Sequence, residues 1–299
     1  MSARRGADGP DGLVVVDKEA GWTSHDVVAK SRGLLGTRKV GHSGTLDPDA
    51  TGVLLLGVGR VTRLLKFLTA LPKTYTAEIV LGVETTTLDA SGEVTAEHDM
   101  TAVTFADVQV AARGLTGAIE QIPPMVSAVK VDGKRLHALA REGIEVERAP
   151  RPVTVHRFDV TPTGDPLVVR CEVECSSGTY VRTLAADLGT ALGGGAHLRD
   201  LRRTAIGSFT LADAHRLESV SPDAVLSPAE AMRDLATVVA SDAERLDVGH
   251  GKVLDRDDRF VGDGPWAVLG EDGSLLAVYA AHRAGTVKPD VVVAPVDGK

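Results

Sequence analysis

The sequence predicts a mixed α/β (α+β) fold followed by a small all-β module. Three observations carry that prediction. Segments of period-two apolar alternation, such as KTYTAEIVL at 73–81 and the pair VTVHRFDV and LVVRCEVEC within 153–175, read as strands. Between the strand candidates lie stretches with apolar residues at helical spacing, at 23–34, 59–71, 105–115 and 179–189. From about residue 241 the pattern changes to short strands around Gly and Asp turns: RLDVGHGKVLDRD, PWAVLGEDGSLLAVYAAHR and TVKPDVVVAPV.

A chain of 299 residues can bury a large core and fits one large domain with a smaller companion. Apolar residues make up 43% and charged residues 25%, a globular rather than a disordered balance. No apolar segment of signal-peptide type follows Met1, and no apolar run approaches the ~18 residues of a membrane span, so secretion and membrane insertion are not expected. Residues 1–10, MSARRGADGP, read as a flexible polar tail. The two cysteines, Cys171 and Cys175, share the segment CEVEC. On a strand their Cα atoms would lie about 13 Å apart, too far for a disulfide. Two thiols without histidines at ligand spacing do not make a zinc site. Buried free thiols imply a reducing compartment, the cytoplasm. The formal charge of −8 opposes nucleic-acid binding on a whole-chain count, but its distribution does not. The net charge is +4 over residues 1–75, −7 over 76–120, +2 over 121–203 and −7 over 204–299. One face can therefore be positive while the far side is acidic.

In order along the chain, Leu13 to Val16 is a short β-branched strand with Asp17 and Lys18 at its end. A lysine there reads as a solvated charge. Thr23 or Ser24 can cap a helix that turns Val27, Val28 and Leu34 inward. Residues 59–71 place Val61, Leu64, Leu65 and Leu68 on one helical side, and a solvated face accounts for Arg60, Arg63 and Lys66 among them. Alternation over 73–81 puts Tyr75 on the same face as Ala77, Ile79 and Leu81. GVETTTLDASGEV then reads as strand, turn and strand, and a turn role suffices for Asp89. After the helix at 105–115, Pro123-Pro124 break the pattern, VSAVKVDGKRL reads as a hairpin around Asp132-Gly133, and LHALAREG is a short helix. Lys130, Lys134, Arg135, His137 and Arg141 cluster there, with a solvated hairpin as the plain alternative. SSGTYVRTLAADLG passes after Gly178 into a helix carrying Leu184, Ala185 and Leu188. GGGAHLRDLRRTAIGSF reads as turn, helix and strand, and residues 210–240 are predicted helical through Leu217, Val220, Val225, Leu226, Ala231 and Leu235.

The chemistry is concentrated in Arg38 to Gly52, RKVGHSGTLDPDATG. Asp47 lies among Gly41, Gly44, Pro48 and Gly52, residues that permit positive φ or stiffen a turn. Such a loop can fix a carboxylate with little bulk around it, though an ordinary Asp-Pro turn is the bland alternative. His42, Ser43 and Thr45 add hydrogen-bonding groups, and the apolar run Val53 to Val58 can anchor the loop.

GHSGTLDPDATGVL closely resembles the active-site motif of the TruB family, the tRNA pseudouridine-55 synthases. KTYTAEIVLG, SSGTYVRTLAADLG and the late Leu201-Arg202-Arg203 resemble the family's further motifs in the same order, over roughly residues 11–209. The family's early Asp-Lys-Pro departs here to Asp17-Lys18-Glu19. The resemblance implies the pseudouridine synthase fold, with a mixed, largely antiparallel central sheet, over residues 11–240. Within it, residues 122–148 take the place of the insertion that grips the T-loop. Residues 241–299 take the place of a PUA-like domain, whose acidity here is unlike an RNA-binding surface.

By resemblance, Asp47, Tyr75 and Arg182 are the catalytic residues. Pseudouridine formation breaks the N1–C1′ bond of uridine and rejoins the base through C5. A carboxylate can serve by attacking C1′, by adding to C6 or by assisting departure of the base. An adjacent guanidinium lowers a carboxylate pKa, and Arg182 is the expected partner of Asp47. Tyr75 is placed against the uracil, Tyr180 and Leu201 line its pocket, and Lys130 contacts RNA. A uridine in a folded loop must leave its stack to be reached, and His42 has the shape to fill the gap. No phosphate-binding loop, dinucleotide fingerprint or metal-ligand spacing is visible, so no cofactor and no metal are expected. The expected partner is tRNA, with no membrane or protein partner, and the chain a monomer. Two other readings compete. An RNA-folding chaperone would keep the binding surface without needing the carboxylate. A hydrolase built on Asp47-Pro48-Asp49 would need a second carboxylate cluster or a metal motif, and neither is present.

Overall fold

The computed structural model describes residues 9–125, 130–131, 134–135, 144 and 146–293. The expectations for the tail before residue 9, the helix LHALAREG and the side chains of Lys130, Lys134, Arg135, His137 and Arg141 lie outside the described residues. The chain begins on strand β1 (Gly12–Lys18), turns into helix α1 (Ser24–Leu34) and returns on β2 (Val40–Ser43) and β3 (Thr51–Val58). A 3₁₀ turn (Gly59–Leu64) and helix α2 (Leu65–Ala70) lead to β4 (Lys73–Leu81). The hairpin of β5 (Val83–Thr85) and β6 (Val94–Glu97), helix α3 (Phe105–Gly114) and β7 (Gly117–Gln121) follow. A short pairing of β8 (Lys130–Val131) with β9 (Lys134–Arg135) precedes β10 (Arg151–Pro162) and β11 (Val168–Cys175). Next come helix α4 (Val181–Ala191), β12 (Ala196–Ile206), β13 (Phe209–Thr210) and β14 (His215–Arg216). Helix α5 (Pro228–Ala231), β15 (Ala236–Ala240), helix α6 (Asp242–Gly249), β16 (Leu254–Asp255), β17 (Trp266–Gly270), β18 (Leu275–Ala281) and β19 (Thr286–Val292) complete it.

One sheet runs β14-β1-β3-β12-β4-β11-β10-β7, with β2 also on β3 and β13 also on β12. It is mixed and largely antiparallel, since β1–β14 and β3–β12 are its parallel pairings. A second sheet runs β15-β17-β18-β19-β16. The reason β3 takes a central place is its composition. TGVLLLGV is apolar almost throughout, so both faces must be covered. Val53 and Leu55 face a core with Leu13, Val15, Leu64 and Leu68, while Leu54 and Leu56 face another with Val14, Val16, Val27 and Val28. Strand β4 instead alternates buried and half-buried positions, with Tyr75, Ala77, Ile79 and Leu81 packed under α3 and α4. Helix α1 starts where Thr23 and Asp26 form a capping box, and α3 starts on the same device from Thr104 and Asp107.

Residues 210–240 do not form the predicted helix. They are three short 3₁₀ turns, β14, the four-residue α5 and β15. Pro222 and Pro228 each start a new turn, because proline lacks the N–H that a helix interior needs. The apolar spacing arises because the segment runs along the sheet edge. Leu226 exchanges backbone hydrogen bonds with Leu13 at 2.9 and 2.8 Å, and Leu217 and Val220 pack against Val14 and Val16. The cations of 60–66 are also more than a solvated face. Arg60 Nη1 donates to the carbonyl of Val293 (3.0 Å), Arg63 Nη1 to that of Val292 (2.9 Å), and Lys66 pairs with Asp290 (2.5 Å). They tie α2 and its preceding turn to the second sheet. No described helix is long and apolar enough to cross a membrane.

Candidate active site

Strand β2 ends at Ser43, and the chain crosses to β3 through Gly44 to Ala50. Leu46 anchors this loop in the core under α4, and Ser24 Oγ bonds both its N–H (3.0 Å) and its carbonyl (3.2 Å). The carbonyl of Pro48 accepts from Lys18 Nζ (2.8 Å) and from the N–H of Gly21 (3.0 Å). Lys18 is therefore no solvated charge. It is 1% exposed and also donates to the carbonyls of Trp22 (2.7 Å) and Glu19 (3.0 Å). Burial pushes its amine down to about 8, against the pull of Asp49 and Asp47. Arg203, buried at 1% exposure, clasps the loop from β12 through the carbonyls of Val53 (2.7 Å) and Gly44 (3.0 Å). Gly52 is required for this approach. Its φ is +103°, and a Cβ there would stand 2.1 Å from the carbonyl oxygen of Arg203.

This clamp delivers Asp47 to Arg182, whose Nε lies 3.2 Å from Asp47 Oδ2. Arg182 sits at the second position of α4, buried, and its Nη1 also reaches Asp89 Oδ2 (3.1 Å) and the carbonyl of Thr87 (3.1 Å). One guanidinium thus bridges two carboxylates. Burial works to raise the Asp89 carboxyl, but hydrogen bonds from Ser91 and Thr87 and the charge of Arg182 outweigh it and hold the group below its usual range. Asp47 goes the other way. The side chain keeps 42% of its surface open to the cleft, yet protein surrounds it, and burial raises its pKa. Arg182 opposes that rise without cancelling it, and the negative charge of Asp89 adds to it. The expectation that the guanidinium would set the sign is corrected here: desolvation does.

Asp47, Arg182 and Leu201 form the wall between two hollows. One, of about 240 Å³, is lined by Tyr75, Tyr180, Lys73 and Arg203 as well. The other, of about 320 Å³, adds Asp49, Asp89, Ser91 and Arg199. Leu201 reaches the wall because β12 carries a bulge between Arg199 and Arg202 and Asp200 takes φ +54°. The Tyr75 hydroxyl is buried, which pushes its pKa upward and keeps it a neutral donor. Five of the residues expected from sequence, Asp47, Tyr75, Arg182, Tyr180 and Leu201, therefore line one cleft. His42 stands apart from both linings, on β2. Its ring meets that of His25 edge-on at 5.3 Å, its Nδ1 is buried without a partner, and burial lowers its pKa. The side chain of Lys130 is outside the described residues. Among the described residues no cluster of three His, Cys, Asp or Glu side chains is placed to hold a metal ion.

Sequence reasoning missed Asp89, Lys18, Lys73 and Arg203 around this cleft. For Asp89 the signal was present but ambiguous, because Thr87-Leu88-Asp89-Ala90-Ser91 makes an Asp-centred turn whether or not its second oxygen meets an arginine. Lys73, with its ammonium on the carbonyls of Thr69 and Leu71 (2.8 and 2.7 Å), has the local sequence pattern of any cation that leads a strand.

A profile described as TruB family pseudouridylate synthase (N terminal domain) matches residues 32–181. One described as tRNA pseudouridylate synthase B C-terminal domain matches residues 182–241. The chain is 48% identical over 297 residues to tRNA pseudouridine synthase B of Arthrobacter sp., covering 95% of this chain and 97% of that one. It is 59% identical over 216 residues to tRNA pseudouridine synthase B of Rhodococcus jostii, covering 71% of each. Among solved structures, a chain of a Cbf5-Nop10-Gar1 complex superposes with a TM-score of 0.73 at 25% identity, over 95% of this chain and 85% of that one. A chain of an H/ACA ribonucleoprotein bound to a substrate RNA containing 2′-deoxyuridine shares the fold, with a TM-score of 0.72 at 23% identity over 96% of this chain and 86% of that one. Matched without a break from residue 32 to residue 241, and carrying the pseudouridine synthase sheet around the cleft of Asp47, the chain belongs to the TruB family of pseudouridylate synthases.

Proposed function

We propose that the protein isomerises uridine 55 in the T-loop of tRNA to pseudouridine. The reaction breaks N1–C1′ and makes C5–C1′; C5 gives up its proton and N1 gains one, so nothing is oxidised and no group is lost. Asp47 supplies the carboxylate. Attack at C1′, addition at C6 and assisted departure of the base all require it ionised, and Arg182, 3.2 Å away, favours that state. Tyr75, whose buried hydroxyl stays a neutral donor, lies against the base, while Tyr180 and Leu201 complete the uracil pocket. The target must be flipped out of its stack, and His42, on β2 outside both linings, fills the place left behind. Residues 11–235 carry catalysis, residues 122–148 with Lys130 grip the RNA, and the residues from β15 onward, which join the second sheet ahead of the expected boundary at 241, form the PUA-like module. The chain works as a monomer in the cytoplasm and uses no cofactor.

The observation that supports this reading most strongly is the buried guanidinium of Arg182 holding Asp47 at the edge of a cleft lined by two tyrosines. The test is to incubate the protein with an unmodified tRNA transcript and map pseudouridine along it. Conversion confined to position 55 is expected. Conversion elsewhere, or none, would contradict the proposal.

A further inference from the structure

Gln121 is the last residue of β7, and its backbone is already paired with Arg151 in the sheet. Its side chain is 2% exposed and turns to the main chain of Tyr180. The Tyr180 N–H donates to Gln121 Oε1 at 3.0 Å, and Gln121 Nε2 donates to the Tyr180 carbonyl at 3.3 Å. A side-chain amide thus reproduces the double exchange of a hydrogen-bonded antiparallel pair. The arrangement has one direction. Rotating the amide by half a turn would set donor against donor and acceptor against acceptor.

Tyr180 is the residue before α4, and no side chain caps that helix. Its carbonyl takes the first helical bond from Leu184 (3.0 Å) as well as the bond from Gln121. The turn before it is anchored to β10, where the N–H of Ser176 donates to the Thr154 carbonyl (2.8 Å) and the N–H of Thr154 to Ser176 Oγ (2.9 Å). Between that anchor and the helix, Gln121 fixes the peptide unit that carries the Tyr180 side chain. Two residues later Arg182 meets Asp47. A small rotation at Tyr180 would move both the ring in the cleft and the guanidinium.

The geometry points to Gln121 as a positioning residue for the reaction, one that sets Tyr180 and Arg182 through the Tyr180 backbone and touches no substrate. The inference rests on the proposed function. It is tested with Gln121→Met, which keeps length and loses both hydrogen bonds, and Gln121→Glu, which is close to isosteric. A protonated glutamate can donate to the Tyr180 carbonyl and accept from its N–H as the amide does. An ionised one sets a charge against that carbonyl, and burial raises its pKa. Single-turnover conversion of a tRNA transcript, binding of the same transcript, and hydrogen exchange at the Tyr180 amide are measured on each.

Gln121→Met is expected to slow conversion at least roughly tenfold. Its dissociation constant should stay within about threefold, because the lost contact is not one with RNA. Exchange at Tyr180 should quicken. Relative to the unsubstituted chain, Gln121→Glu should be slow near pH 8.5 and recover as the pH falls to about 6, a recovery Gln121→Met cannot show. If Gln121→Met does not fold, Gln121→Glu compared across pH carries the test alone. Native conversion by Gln121→Met, a native pH profile for Gln121→Glu, or slowed conversion with native exchange at Tyr180 would overturn the inference and leave the proposed function standing. No conversion by the unsubstituted chain would overturn both.

Discussion

Asp47 carries two opposed influences, and their balance gives its pH behaviour. Burial lifts its pKa while Arg182 lowers it and Asp89 lifts it further. The proposed chemistry needs the ionised form, so the rate is lost as pH falls through a pKa above the ordinary carboxylate value. Two substitutions should move that acid limb in opposite directions. Arg182→Met removes the lowering charge and should carry the limb to higher pH. Asp89→Asn removes a raising charge and should carry it to lower pH, along with a slower maximal rate because Arg182 loses its second anchor. Single-turnover rates against pH check both. A limb that moves the same way in both variants, or in neither, would contradict the assignment. At this scale the sequence showed the residue types through motif order, but not the sign of the shift. Asp47, Arg182 and Asp89 come from three distant segments, and desolvation is a property of the assembled cleft.

The loop between β2 and β3 is held by atoms that lie outside it: Lys18 at the end of β1, Ser24 at the start of α1, and Arg203 in β12. At Gly52, β3 pairs with Arg203 of β12 and leaves no room for a Cβ. Gly52→Ala should cost about 3 kcal/mol or more, since the residue must leave φ +103° or push the Arg203 carbonyl aside. Urea denaturation measures it, and a loss below about 0.5 kcal/mol would show that the two strands separate easily. The glycines and Pro48 were legible in sequence as a fixed loop. The lysine was not, because a cation after a strand has the same local pattern whether it faces water or three carbonyls. Residues 210–240 were misread for a related reason. An edge-running segment of short turns brings apolar residues inward at intervals that mimic a helix, and it is Pro222, Pro228 and the backbone exchange between Leu13 and Leu226 that distinguish the two.

Across the whole molecule, the two sheets share apolar packing. Leu13 and Leu55 of the first, with Val61 and Leu64 of the 3₁₀ turn after β3, lie in one core with Ala267, Leu275, Val278 and Val291 of the second. A chain ending at residue 235 would expose this surface, at roughly 1.5–3 kcal/mol for each large side chain uncovered. It should melt lower than the full chain or aggregate, and an unchanged melting temperature would contradict the shared core. The charge pattern along the sequence implies a second whole-molecule property, a steep fall of tRNA affinity with salt. Neutralising Lys130, Lys134 and Arg135 together should weaken binding and flatten the salt dependence, read from dissociation constants over a salt series. Unchanged affinity and slope would remove those residues from the RNA surface. The sheet order, the shared core and the cations linking α2 to the second sheet depend on contacts between distant parts of the chain, so alternation and spacing gave the strands without their neighbours. On the proposed function, the Asp47 carboxylate performs the chemistry, and phosphate contacts and stacking supply the affinity. Asp47→Asn keeps the size of the side chain and removes its charge. The most direct measurement is single-turnover pseudouridine formation by Asp47→Asn with enzyme in excess, beside tRNA binding on the same preparation. Native binding with no detectable pseudouridine is expected; conversion near the native rate would rule out Asp47 as the reacting group.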